Sequence, residues 1–305
     1  MLVNLKTEVS GWFKIEAIKP DGSKRILADW FPNLITDQGL DRMGTSNTWI
    51  SYCHVGTGST APATSDTQLV SFLASSNSRT TTTRGIQSSS PYYTYRTHTY
   101  RFNEGVAAGN LSEVGVGWTA ANGALYSRAL ILDGAGNPTT LTILSNETLD
   151  VTYQCRHYIP ETDVTGTVVL RGTTHTWTAR AANCTGGNYW WNQGTAYDVG
   201  IAANASIYGN SAYTGAIGAI TTIPSGTNLS GGTLAFSAYS ASSLLIDATI
   251  TYSLAQGNNA LGIGAILVSM GLGYYQIGFT PTNIMKTADD VLVLNLRHSW
   301  ARKTI

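Results

Sequence analysis

Residues 143–157 read ILSNETLDVTYQCRH, and residues 284–298 read IMKTADDVLVLNLRH. Each opens on two apolar residues, crosses a polar patch holding a carboxylate, runs on in alternation and ends on Arg-His. Alternation with a period of two marks a strand with one buried face. Val151, Tyr153 and Cys155 would share that face in the first stretch, and Leu292, Leu294 and Leu296 take the same places in the second. A strand that keeps its apolar face while exchanging every residue on it preserves a fold rather than a chemistry.

Two further landmarks repeat in the same order. HVGTGSTAPATSD begins at His54 and DVGIAANASIYGN at Asp198, while VGVGW at 114 is echoed by LGIGA at 261. With the opening pair, the spacings run from 141 to 147 residues. The chain of 305 residues is long enough for two ordinary β domains. The expectation is a mainly β protein of two β-sandwich-like units, an internal duplication, covering 1–165 and 166–305, with one or two short helices.

Between the landmarks the same period dominates. LKTEVSGWFKIEAI and RILADWF flank Pro20-Asp21-Gly22, which is turn chemistry, and predict a hairpin. NLITDQGLDRMG (33–44) is the best helix candidate, capped by Thr36 or Asp37 and closed by Gly44 in the left-handed conformation. A second short helix is expected near Ser65 or Asp66. YYTYRTHTYRF, LSEVGVGW, LYSRALIL and LDVTYQCRHY read as strands, with DGAGNP (133–138) as a turn.

Charge is scarce and uneven. Charged residues make up 12% of the chain, and Lys plus Arg balances Asp plus Glu at 18 each, so no net field draws it to nucleic acid. Up to Arg171 there are 27 charged side chains, and the remaining 134 residues carry nine. A Gly-, Ala-, Ser-, Thr- and Tyr-rich half with so little charge predicts burial against other chains. Disorder would call for more charge and fewer aromatics than 8 Trp, 16 Tyr and 6 Phe. The N-terminus lacks a signal-peptide core, and ALGIGAILVSMGLGYY (260–275) is too short and too glycine-rich to span a membrane, so it reads as a buried strand pair. Cys53, Cys155 and Cys184 form no metal pattern and read as buried thiols of a reducing compartment.

Motifs for chemistry are lacking: no nucleophile elbow, no HExxH, no phosphate loop. The five histidines stand singly, which favours solvated or structural roles. Glu147, Asp150, Glu161 and Asp163 are the carboxylates from which a glycan-cleaving pair could be drawn, and Asp289-Asp290 is a weak calcium candidate. No catalytic, cofactor-binding or metal-binding residue is assigned. One stretch suits binding: CTGGNYWWNQGTAYD (184–198) sets Tyr189, Trp190 and Trp191 among amide and hydroxyl side chains, where flat rings could stack on a bacterial surface glycan. Tyr92, Tyr93 and Tyr95 form a second such region. Both clusters could equally serve a core or an oligomer interface.

Taken together, NLITDQGLDRMG, VGTGSTAPATSDTQL, TYRFNEGVAAGNLSEVGVGW and SRALILDGAGNPTTLTILSNETLDVTYQCR resemble the pattern of structural proteins of tailed bacteriophages, of tail, baseplate or tail-fibre type. The likeness covers about residues 28–160, with TADDVLVLNLRHSWAR as a further match, and carries no catalytic motif. It implies a virion tail component assembled in the host cytoplasm, a homo-oligomer (a trimer or larger ring) that docks on other tail proteins. Other readings are a capsid decoration or neck protein, a glycan-degrading tailspike and a secreted lectin.

Overall fold

The computed structural model describes residues 1–46, 48–185, 209–270 and 273–304. Among the described residues strand accounts for 53% and helix for 3%, so the core has to come from sheets packed face to face. In the first half the strands are β1 (Leu2–Ile18), β2 (Lys24–Pro32), β3 (Leu34–Ile35), β4 (Tyr52–Gly56), β5 (Phe72–Ser76) and β6 (Arg79–Gln87). They continue as β7 (Tyr93–Phe102), β8 (Gly109–Leu111), β9 (Glu113–Gly117), β10 (Leu125–Leu130), β11 (Leu141–Ile143) and β12 (Thr148–Tyr158). The second half holds β13 (Val164–Leu170), β14 (Thr173–Ala181), β15 (Gly209–Tyr213) and β16 (Thr233–Phe236). It ends with β17 (Leu245–Tyr252), β18 (Ala265–Met270), β19 (Gly273–Thr280) and β20 (Leu292–Arg302).

A long sheet runs β16-β17-β20-β1-β12-β7-β6, with β2 beside the far end of β1. Two five-stranded sheets, β3-β10-β9-β4-β5 and β13-β14-β19-β18-β15, pack on it, and β8-β11 is a small ribbon. The order β3-β10-β9-β4 in one small sheet matches β14-β19-β18-β15 in the other. In the long sheet β6-β7-β12 matches β16-β17-β20. These correspondences preserve chain order, and each matched pairing is antiparallel.

In each half a strand of the small sheet faces one of the long sheet, β10 over β12 and β19 over β20. Tyr126 and Ser127 on β10 reach Cys155 and Tyr153 on β12 at 3.7 and 3.5 Å, and Tyr275 on β19 lies 6.3 Å from the His298 ring on β20. β1 joins the two halves, antiparallel to β12 and parallel to β20. Of the sequence landmarks, β12 with β20 and β9 with the approach to β18 occupy matching places. Asp198 lies outside the described residues, and by pairing order the counterpart of β4 is β15.

Local chemistry accounts for the punctuation. Pro20-Asp21-Gly22 turns the first hairpin, with Gly22 at φ +81° and Asp21 accepting from the Ser23 N–H. The helix α1 (Asp37–Thr45) starts at Thr36, whose hydroxyl accepts from Gly39 N at 3.0 Å. It does not stop at Gly44 in a left-handed cap. Gly44 lies inside the last turn, and the cap is Ser46 in extended conformation. The glycine is needed there for closeness, since a Cβ would meet the Tyr239 ring at 2.4 Å. The second helix expected near Ser65 is a turn, with Asp66 bonded to Ala63 N. Residues 260–275 do enter a glycine-rich strand pair, β18 and β19, and no described helix is long and apolar enough to cross a membrane.

Candidate functional site

The side of the long sheet turned away from the core brings sequence-distant residues together. On β7, Thr94, Arg96, His98 and Tyr100 point inward and are buried, so Tyr93, Tyr95, Thr97 and Thr99 point outward. Register then sets Tyr158 beside Tyr93, Arg156 beside Tyr95, Gln154 beside Thr97 and Thr152 beside Thr99. β1 continues these rows with Glu8, Ser10, Trp12 and Lys14.

Ser10 is small, so the Arg156 side chain can lie flat across its neighbours' diagonal. Its guanidinium sits 4.6 Å from the Trp12 ring and 5.0 Å from the Tyr93 ring. Its Nε donates to Gln154 Oε1 at 2.7 Å, and Gln154 in turn donates to Thr97 Oγ1 at 3.1 Å. Thr99 and Thr152 share a hydroxyl contact of 3.0 Å. Tyr158 lies 5.2 Å from Tyr93, the two rings tilted at 50°, and carries Lys303 Nζ over its ring at 5.4 Å. The Lys303 ammonium is held in its charged form by a hydrogen bond to Glu8, which raises its pKa. Beyond Tyr158 opens a cleft of about 290 Å³, lined by Lys6, Glu8, Pro160, Glu161 and Lys303 among others.

Tyr95 completes the strip from the edge. A Cβ on Gly85, directly across from it on β6, would come within 2.3 Å of its hydroxyl, so the ring lies over the glycine. Of the second aromatic region, Tyr93 and Tyr95 therefore reach the outer face. Tyr92 instead packs on the small cluster of Ile159, Ala181 and Cys184. Tyr189, Trp190 and Trp191 lie outside the described residues.

The candidate carboxylates are dispersed to separate partners. Glu147 binds Arg25 through two hydrogen bonds of 3.0 and 2.9 Å, Asp150 binds Arg101 at 2.8 and 2.7 Å, and Asp163 binds Arg180 at 2.8 and 2.6 Å. Hydrogen bonds from those arginines hold Glu147 and Asp163 below the usual carboxylate range. Glu161 accepts from Tyr92 N at 2.9 Å. Asp290 accepts from Thr287 and faces Arg171 at 3.2 Å. Among the described residues no group of three His, Cys, Asp or Glu is arranged to hold a metal ion. His157 and His298 are both buried on the core side of the sheet, so a solvated role does not apply to them. The three cysteines are buried and in no disulfide, and burial pushes the Cys184 thiol up to about 11.

A second centre escaped sequence reasoning. Glu113 on β9 and Arg128 on β10 are buried and joined at 2.8 Å. Glu113 also accepts from Gly58 N, Ser71 N and Val70 N at 3.0, 2.7 and 3.1 Å. Arg128 donates to Asp66 and to the Thr60 carbonyl, both at 2.7 Å. Every contact beyond the pair goes to the loop between β4 and β5, which is thereby clamped. The available signal was a lone Glu and a lone Arg within otherwise apolar strands, where an unpaired charge would be prohibitive. No protein-family model, no curated protein and no solved structure matches this chain.

Proposed function

We propose that the chain is a structural component of a bacteriophage tail, of baseplate, tail-tip or fibre type. It acts as a rigid β scaffold, assembled in the host cell, that docks on other tail proteins and faces the host. The observation that carries this reading is where the resembling segments meet. VGTGSTAPATSDTQL supplies Gly58, Thr60 and Asp66, LSEVGVGW supplies Glu113 and SRALIL supplies Arg128, all in one network around the buried Glu113–Arg128 pair. A satisfied buried ion network holds a surface loop in one shape, which suits a part that must fit a neighbour. The charge-poor second half supports assembly as a homo-oligomer, a trimer or larger ring, with an interface above roughly 2,000 Å².

Gold-labelled antibody against the chain, applied to particles made from the genome that encodes it, tests the reading. Label at the distal tail supports it, label on the capsid or neck assigns a decoration or neck protein, and unlabelled particles overturn it. Light scattering of the purified protein tests assembly, and a monomer at high concentration refutes the ring. Replacing Trp190 and Trp191 with Ala is expected to lower adsorption to host cells at unchanged oligomer mass. Failure of assembly instead would place the pair in an interface.

A further inference from the structure

We propose that the strip formed by Trp12, Tyr93, Gln154, Arg156 and Tyr158 binds a carboxylated saccharide, with the Arg156 guanidinium receiving the carboxylate. The inference extends the host-facing reading above by naming a ligand class and a site for it on the described sheet.

Charge pairing on this face singles out Arg156. Lys6 pairs with Glu8 at 3.6 Å, Lys14 with Glu16 at 3.2 Å and Arg101 with Asp150 at 2.7 Å. Arg156 faces no carboxylate among the described residues. Its Nε is satisfied by Gln154, and its Nη1 and Nη2 have no acceptor there. Most other arginines in the chain are tied to acids, among them Arg25, Arg128, Arg180 and Arg297. A guanidinium clamped between two rings has already lost its rotamer freedom, so binding through its free fork costs little further ordering. The free Nη pair matches the two oxygens of a carboxylate and forms charge-assisted bonds with it.

The surroundings choose among anions. Thr97, Thr99, Thr152 and Gln154 present hydroxyl and amide groups in regular rows, which suits a polyhydroxylated chain lying along the sheet. Tyr93, Tyr95 and Tyr158 supply flat apolar area beside them, and the cleft past Tyr158 is at the small end of the range for ligand sites. Glu8, Glu16 and Asp150 on this face are neutralised by their own lysines and arginine, so they do not repel an acidic ligand at Arg156.

The test uses purified full-length protein and calorimetry with three carboxylated oligosaccharides (oligogalacturonate, oligoguluronate and oligosialic acid), each beside its neutral methyl ester. At least one acid is expected to bind, with its ester weaker by roughly ten- to a hundredfold. Arg156→Met should erase the preference for the acid, and Arg156→Lys should keep part of it. Because Arg156→Met also loses stacking, each variant's far-UV circular dichroism and melting temperature are compared with the parent. If Arg156→Met disturbs the fold, Gln154→Leu with Thr97→Val provides a second loss variant that leaves the cation in place. Equal binding of acid and ester, no binding by any of the three acids, or undiminished binding by Arg156→Met overturns the proposal. Tighter Arg156-dependent binding of an acidic peptide would assign the site to a protein partner and overturn it as well. None of these outcomes depends on where the chain sits in a particle, so failure here and failure of the tail assignment are separable.

Discussion

Arg128 Nε lies 2.8 Å from Glu113 Oε2, on neighbouring strands and fully out of water. The pair is stable there because each remaining polar atom has a partner in the loop between β4 and β5. Replacing Glu113 with Gln leaves Arg128 buried beside a neutral amide, and three backbone N–H groups lose a charged acceptor. The expected loss is about 3–5 kcal/mol of unfolding free energy, measured by denaturant titration. Limited proteolysis should cut first between residues 57 and 71 in that variant. A variant as stable as the parent, with an uncut loop, would show that the clamp holds nothing.

Acid should weaken the fold in a window set by the histidines. Burial lowers His54 to about 4, His98 and His298 to about 3, and His157 well below its ordinary 6.5. The unfolded chain therefore binds protons below pH 6.5 that the folded chain refuses. Stability is complete above that value and falls as pH drops toward 4. Each unit of separation is worth about 1.4 kcal/mol, so His54, His98 and His298 each cost about 2 kcal/mol at pH 5, and His157 acts in the same direction. The lowered carboxylates Glu147, Asp163 and Asp247 act only further down. Denaturation curves at pH 7.5, 6 and 5 check this, and a flat response across that range would contradict it.

Gly44→Ala should destabilise the protein although alanine is the better helix former by about 1 kcal/mol. The new methyl would sit within 2.4–2.6 Å of three atoms of the Tyr239 ring. That ring is fixed by its hydrogen bond to Asp41 at 2.8 Å and stacks on Trp300 at 5.6 Å. Overpacking of this kind costs about 1–3 kcal/mol, and a thermal melt reads the sign.

The thiols offer a simple probe of packing. Cys53, Cys155 and Cys184 are buried and in no disulfide, so a thiol reagent at pH 8 should label none of them in the native protein. All three should react once denaturant is added. Fast labelling of Cys184 in the native state would mean that its end of the core opens.

Alternation alone marked strands such as β1, β7 and β12 and their faces, because successive side chains of an extended backbone point to opposite sides, while the Thr-rich β6 carries no apolar alternation to read. Hence Tyr93 and Tyr95 could be placed on one face of one strand, and Val151, Tyr153 and Cys155 on another, before any partner was known. Caps and turns were legible for the same local reason: Thr36 and Pro20-Asp21-Gly22 act on backbone groups within a few residues. Gly44 misled, because its role is set by Tyr239, nearly two hundred positions away. The second helix near Ser65 failed because Asp66 is drawn to Arg128 instead. Partner choice was beyond the sequence. That β1 lies between β12 and β20, putting Trp12 against Arg156, depends on register energies summed along whole strands and on the fit of the layers beneath. Period-2 patterning says which side chains face the core, but it is identical for every strand that could pair, so only the packed tertiary structure decides which residues become neighbours.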